Sequence, residues 1–167
     1  MSEFSIDIRT LKTGAVAVDG GMGTTLTEPG EIHENTVKVN MADDTVTPIK
    51  NIKGKSVIVA IEGGNIDIAY DIITFDVEVI QDFCGGTLVG TAPNQMWHMP
   101  KGTQPIIEKS HEIVDGQGGT WELARVQVSG KLVGAFSKTE PNVIRVKGMV
   151  LEPTKEAVGA IAYGNKA

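Results

Sequence analysis

Between residues 66 and 72 the chain alternates strictly. Ile66, Ile68, Tyr70 and Ile72 fall on one side of an extended backbone, and Asp67, Ala69 and Asp71 fall on the other. A period of two belongs to a β-strand with one face in a core and one in water. It excludes an amphipathic helix, whose apolar positions recur every three to four residues. The same period returns at 36–40, around Val37 and Val39, and at 142–151, where Ile144, Val146 and Val150 oppose Arg145 and Lys147. Residues 56–61 differ, since Val57 to Ile61 are apolar without a break. That run predicts a strand buried on both faces, ended by Gly63-Gly64.

Further short runs complete the pattern. Residues 15–19 read as extended, followed by a flexible loop at Gly20-Gly21-Met22-Gly23. Asp43, Asp44 and Pro48 mark a loop within the 41–53 connection. Residues 121–128 and 131–137 read as a hairpin turning at Ser129-Gly130, and 158–163 as a last strand closed by Gly164. Phe75, Val79 and Phe83 recur every four residues after Thr74, a possible cap, with Asp76 and Glu78 where a helix dipole favours acids and Gly85 as a stop. This predicts a short helix over 75–84, although the β-branched Val77, Val79 and Ile80 leave a continued strand open. Residues 91–119, broken by Pro93, Pro100, Pro105 and several glycines, read as a long irregular connection holding one strand near 105–114. With 20 glycines among 167 residues and only 5% aromatics, the sum is one domain over 1–167. It is mainly β, an antiparallel β-sandwich or barrel with one short helix, an N-terminal arm over about 1–12 and long loops.

The chemistry-bearing residues are scattered. Cys84 is the single cysteine, which excludes an internal disulfide and a multi-cysteine metal site. At the predicted helix end it reads as a buried structural thiol. His33, His98 and His111 show no metal-ligand spacing, and Gly20–Thr25 lacks the lysine of a phosphate-binding loop. Ser110 and His111 lie together in Glu108-Lys-Ser-His-Glu112, but neighbours on an extended chain point to opposite faces. The segment therefore reads as an exposed polar stretch rather than a nucleophile and its base. Trp97 and Trp121 are core or interface anchors, or the walls of a binding surface. No catalytic, cofactor or metal residue is assigned, and no enzyme activity is expected. The N-terminus carries Glu3 and Asp7 without an apolar stretch, and no run approaches the length of a membrane span. Synthesis in a cytoplasm without membrane insertion is the expectation.

Charge is unevenly placed. Between residues 56 and 100 lie six acids (Glu62, Asp67, Asp71, Asp76, Glu78, Asp82) and no Lys or Arg, which equals the net charge of −6 for the whole chain. Such a run reads either as a solvated face or as an acidic surface that repels a polyanion or meets a basic partner. The balance argues against a dedicated nucleic-acid binder.

Three stretches in this order resemble the phage major tail tube proteins and their relatives in contractile injection machines. They are 36–61 with its acidic loop, the helix-like Phe75-Asp-Val-Glu-Val-Ile-Gln-Asp-Phe-Cys-Gly-Gly-Thr87, and 126–164 with its two strands and final Gly-Ala-Ile-Ala-Tyr-Gly. Together they cover about half of the chain. The resemblance implies a two-sheet β-sandwich with a flanking helix, six copies joined edge to edge in a ring, and rings stacked into a tube in the virion tail. Tape-measure protein and viral DNA would pass through its lumen without specific binding. It implies an acidic lumen, with Asp67 and Asp71 as lumen-facing candidates, and an inter-ring contact from the 41–53 connection, with Asp43, Asp44, Lys50 and Lys53 as candidates. The alternatives are another phage particle component, a decoration or baseplate-adjacent protein, and a carbohydrate- or protein-binding β-sandwich module.

Overall fold

The computed structural model describes residues 4–166. The chain runs through β1 (Thr10–Gly14), β2 (Lys38–Met41), β3 (Thr45–Lys50), β4 (Ser56–Glu62) and β5 (Ile66–Ile72). One helix, α1 (Val77–Cys84), and the short β6 (Thr87–Val89) and β7 (Met96–His98) follow. The last four strands are β8 (Ile107–Val114), β9 (Gly119–Val133), β10 (Val143–Val150) and β11 (Ile161–Asn165). The fold is mainly β, and every strand pair is antiparallel. A seven-stranded sheet has the order β1-β8-β9-β10-β5-β2, with β11 against β9; β3–β4 and β6–β7 form two-stranded sheets of their own.

The large sheet cannot be flat. Thr27 bridges Thr13 on the free edge of β1, and Ile32 bridges Ile72 on the far edge of β5. A flat sheet would hold these two residues six strand spacings apart, about 29 Å. The five residue steps from Thr27 to Ile32 reach at most about 18 Å. The sheet therefore curls until its ends approach, and its concave side becomes the core. Tyr70 on β5 and His111 on β8, three strands apart in the sheet order, meet across that core at 2.8 Å. The facing layers of the sandwich are thus both drawn from one bent sheet. β9 pairs β11 from Gly119 to Leu123 and β10 from Val126 to Val133 on the same side.

Ile68, Tyr70, Ile72, Leu123, Val126, Ile144 and Val146 are fully buried, so the alternation at 66–72 packs as expected. The helix closes one side with Ile80, Phe83 and Cys84. It begins later than 75: Asp76 holds the cap position, Phe75 is exposed, and the Thr74 hydroxyl instead accepts the Glu31 N–H at 2.8 Å. Gly85, at φ +72, ends it as expected, with its N–H on the Gln81 carbonyl.

Several expectations are corrected. Ser129-Gly130 is no turn, because β9 runs straight through it for 15 residues. Gly130 serves close approach: a Cβ there would lie 2.8 Å from the Phe83 carbonyl oxygen and 2.9 Å from Cys84 Sγ. Residues 45–50 form a strand through Pro48 rather than a loop. A two-stranded ribbon leaves one side of each strand unpaired, which proline tolerates. Residues 56–61 do form a strand, but every residue of it is exposed. Residues 15–19 are not a strand; the Gly20 N–H turns back to the Ala17 carbonyl. The 91–119 stretch is more ordered than expected, holding β7 and the eight-residue β8. Gly164 lies inside β11 instead of closing it. Of the N-terminal arm, residues 1–3 lie outside the described residues, while Ile6 and Arg9 hydrogen-bond to Gln117, Gly116 and Val114 before β1 begins.

Candidate functional site

The β3–β4 hairpin has no core of its own chain beneath it. Its register places Val46 opposite Ile61 and Pro48 opposite Val59. Val57, next to them, is the extra residue where the register shifts between Ile49 and Lys50. Val46, Pro48, Val59 and Ile61 make one apolar face with Val57 adjoining it, and all five are exposed. Thr45, Thr47, Ala60 and Glu62 occupy the other face with Ile49 and Ile58. The tip is an ordered turn. Asn51 Oδ1 accepts the N–H groups of Lys53 and Lys55, its carbonyl accepts Gly54 N–H, and Gly54 supplies φ +79. Ile52 stands fully exposed at this tip.

The four residues expected in the 41–53 connection separate into two groups. Asp43 and Asp44 sit at the hairpin base, where Asp44 accepts the Gly64 N–H at 3.3 Å. Lys50 ends β3, and Lys53 lies in the tip turn, about 20 Å away along the ribbon. From Thr45 to Ile61 the hairpin carries Lys50, Lys53 and Lys55 and no acid.

Asp67 and Asp71 share the outer face of β5, as their alternation requires. That face is not acidic. Register brings Lys38 of β2, Arg145 and Lys147 of β10 and Lys131 of β9 onto it, so four bases surround two acids. Arg145 holds Asp71 through two hydrogen bonds, at 3.1 and 3.3 Å; Asp67 has no ion pair among the described residues. The acidic run of 56–100 is a feature of sequence order. In space its central strand lies beside basic strands from elsewhere in the chain.

The polar residues weighed for chemistry have structural partners. Ser110 and His111, expected on an exposed stretch, are fully buried on β8. The Ser110 hydroxyl donates to the Ala124 carbonyl and accepts the Gly23 N–H, while His111 meets Tyr70. They are therefore no nucleophile–base pair. Burial, with the Lys109 ammonium acting in the same direction, pushes His111 down to about 4 against the opposing effect of the Lys109 backbone. Cys84 is buried and its thiol is pushed up to about 11 by desolvation. Trp97 Nε1 donates to the Gly85 carbonyl at 2.7 Å, anchoring β7 to the helix end. Trp121 packs on Tyr163 with ring centroids 5.2 Å apart.

Among the described residues no three His, Cys, Asp or Glu side chains gather to hold a metal ion. No helix there is long and apolar enough to cross a membrane. No protein-family model matches the chain, and no curated protein matches it.

Proposed function

We propose that this chain is a self-assembling structural subunit, the major tail tube protein of a phage virion. Made in the host cytoplasm, it would form six-membered rings that stack into a conduit for tape-measure protein and viral DNA. The observation that carries the reading is the bare β3–β4 hairpin. An isolated two-stranded ribbon is marginal in water, and an exposed contiguous apolar surface marks a surface used for contact. Covering Val46, Pro48, Val57, Val59 and Ile61 is worth about 1 kcal/mol each, since each is roughly half exposed and full burial is worth about 1.5–3 kcal/mol. About 5 kcal/mol is thus realised only when another molecule covers the ribbon. The resemblance of 36–61, 75–87 and 126–164 to tail tube proteins names the assembly, and the end strand β2 offers the kind of sheet edge that ring closure would pair.

Negative-stain microscopy and sedimentation of the purified protein test this directly. Rings and tubes are expected at milligram-per-millilitre concentrations. A protein that remains monomeric under all these conditions refutes the reading.

A further inference from the structure

The two ends of the curled sheet approach each other without pairing, and an open cleft of about 680 Å³ is left between them. Thr10 and Leu11 line it from β1, and Val39 lines it from β2. Its floor is apolar: Ile8, Ile32, Val37, Val39 and Trp121 are each partly buried against the core. The mouth of a curled sheet is a favoured place for a ligand, and the volume falls in the range that encloses a small molecule.

The rim is acidic. Glu28, Glu31 and Glu34 come from the link that joins the sheet ends, and Asp7 comes from the N-terminal arm. All four are exposed, and none has an ion pair among the described residues. Arg9 is the one Lys or Arg in the described lining, and its guanidinium donates to the Gly116 carbonyl at 3.1 Å. Asp115 also lines the cleft, but Ser5, Gln117 and Gly119 already donate to its carboxylate.

This combination selects the chemistry of a ligand. A metal ion needs its acidic ligands gathered on one point, and among the described residues no three His, Cys, Asp or Glu gather so. The three glutamates stand three residues apart instead, which suits charges spaced along a chain. A neutral apolar molecule would leave the rim unused, and a compact hydrated cation would leave the floor unused. A linear alkyl polyamine uses both, with ammonium groups for the carboxylates and methylenes for the floor. The Trp121 ring adds an aromatic surface that attracts an ammonium. We propose that this cleft binds a linear polyamine, its ammonium groups on Glu28, Glu31 and Glu34 and its methylenes on the apolar floor. Such binding needs no second copy of the chain.

Isothermal titration calorimetry with spermidine tests it. One spermidine should bind per chain, more weakly as salt rises, because the rim charges are open to solvent. A variant carrying Glu28→Gln, Glu31→Gln and Glu34→Gln should bind about tenfold more weakly, since each exposed ion pair contributes a few-fold at most. A control carrying Glu140→Gln, Glu152→Gln and Glu156→Gln loses the same charge at exposed positions outside the cleft. It should bind like the parent. Circular dichroism checks that both variants fold. Magnesium chloride at matched ionic strength should displace spermidine no better than sodium chloride does. Failure of the parent to bind spermidine, equal weakening in both variants, or selective displacement by magnesium overturns the polyamine site.

Discussion

Lowering the pH from 7 to 4.5 should destabilise this protein through a single buried imidazole. His111 is fully buried, Tyr70 Oη lies 2.8 Å from its Nε2, and its Nδ1 has no hydrogen-bond partner. A proton added to that ring would carry charge into the core, where the Lys109 backbone offsets only part of the burial penalty. Folding therefore depresses His111 from 6.5 to about 4, and between those values the unfolded chain holds the extra proton. Stability is complete above about pH 6.5 and falls as the pH drops toward 4. Linkage across that gap makes the full loss about 3 kcal/mol, of which about 2 kcal/mol is gone by pH 4.5. The depressed carboxyls of Asp115, bonded by Ser5, of Glu108, paired with Arg125, and of Asp19, paired with Lys155, add their losses only below their unfolded values of 3.8 and 4.5. The window from 6.5 to 4.5 thus isolates the histidine. Urea denaturation of monomeric protein at several pH values, wild type against His111→Gln, measures it. Equal pH slopes for the two proteins in that window would refute the argument.

Two further substitutions test the packing and the charged face. Gly130→Ala should cost about 1–3 kcal/mol in urea denaturation, because its new methyl meets the Phe83 carbonyl at the helix end as well as the buried Cys84 Sγ; a neutral result would mean that α1 does not press on β9. Asp71→Asn should cost less than about 1 kcal/mol, since Arg145 is half exposed, and the cost should shrink at high salt.

Local pattern carried the strands that one chain buries on one face. At 66–72 and 142–151 the side chains that alternate in sequence are the ones that alternate between core and water. Where the letters admit two physical uses, the local reading failed. Gly130 is indistinguishable from a turn glycine until the helix that needs its bare Cα is placed opposite it. The unbroken apolar run at 57–61 looks the same whether its own chain or another molecule covers it. His111 sits among Glu108, Lys109 and Glu112, and only the curl of the sheet brings it to Tyr70, 41 residues earlier. The cleft lined by Ile8, Ile32, Val37, Val39 and Trp121 had no local signal at all, because it is assembled from the N-terminal arm, β2 with its approach, and the start of β9.

The outer face of β5 is where sequence order and spatial order diverge most, and its place in an assembly can be measured at Asp67. Six acids and no base between residues 56 and 100 left open either a solvated face or a surface that repels a polyanion, yet Lys38, Lys131, Arg145 and Lys147 share the face with Asp67 and Asp71. If this face lines a lumen, low adhesion to DNA must come from mixed charge and paired side chains such as Asp71–Arg145, not from uniform negative potential. An Asp67→Cys variant locates the face. The native Cys84 is buried and its thiol stays protonated at neutral pH, so labelling reports the new thiol. In assembled protein, a lumenal position should react with a small maleimide and resist one carrying a long polymer. A position on the outer wall reacts with both, and a position inside a subunit contact reacts with neither. Reaction with both reagents in intact tubes would remove Asp67 from the lumen. The same experiment on dissociated subunits, where both reagents should react, shows that any protection comes from assembly.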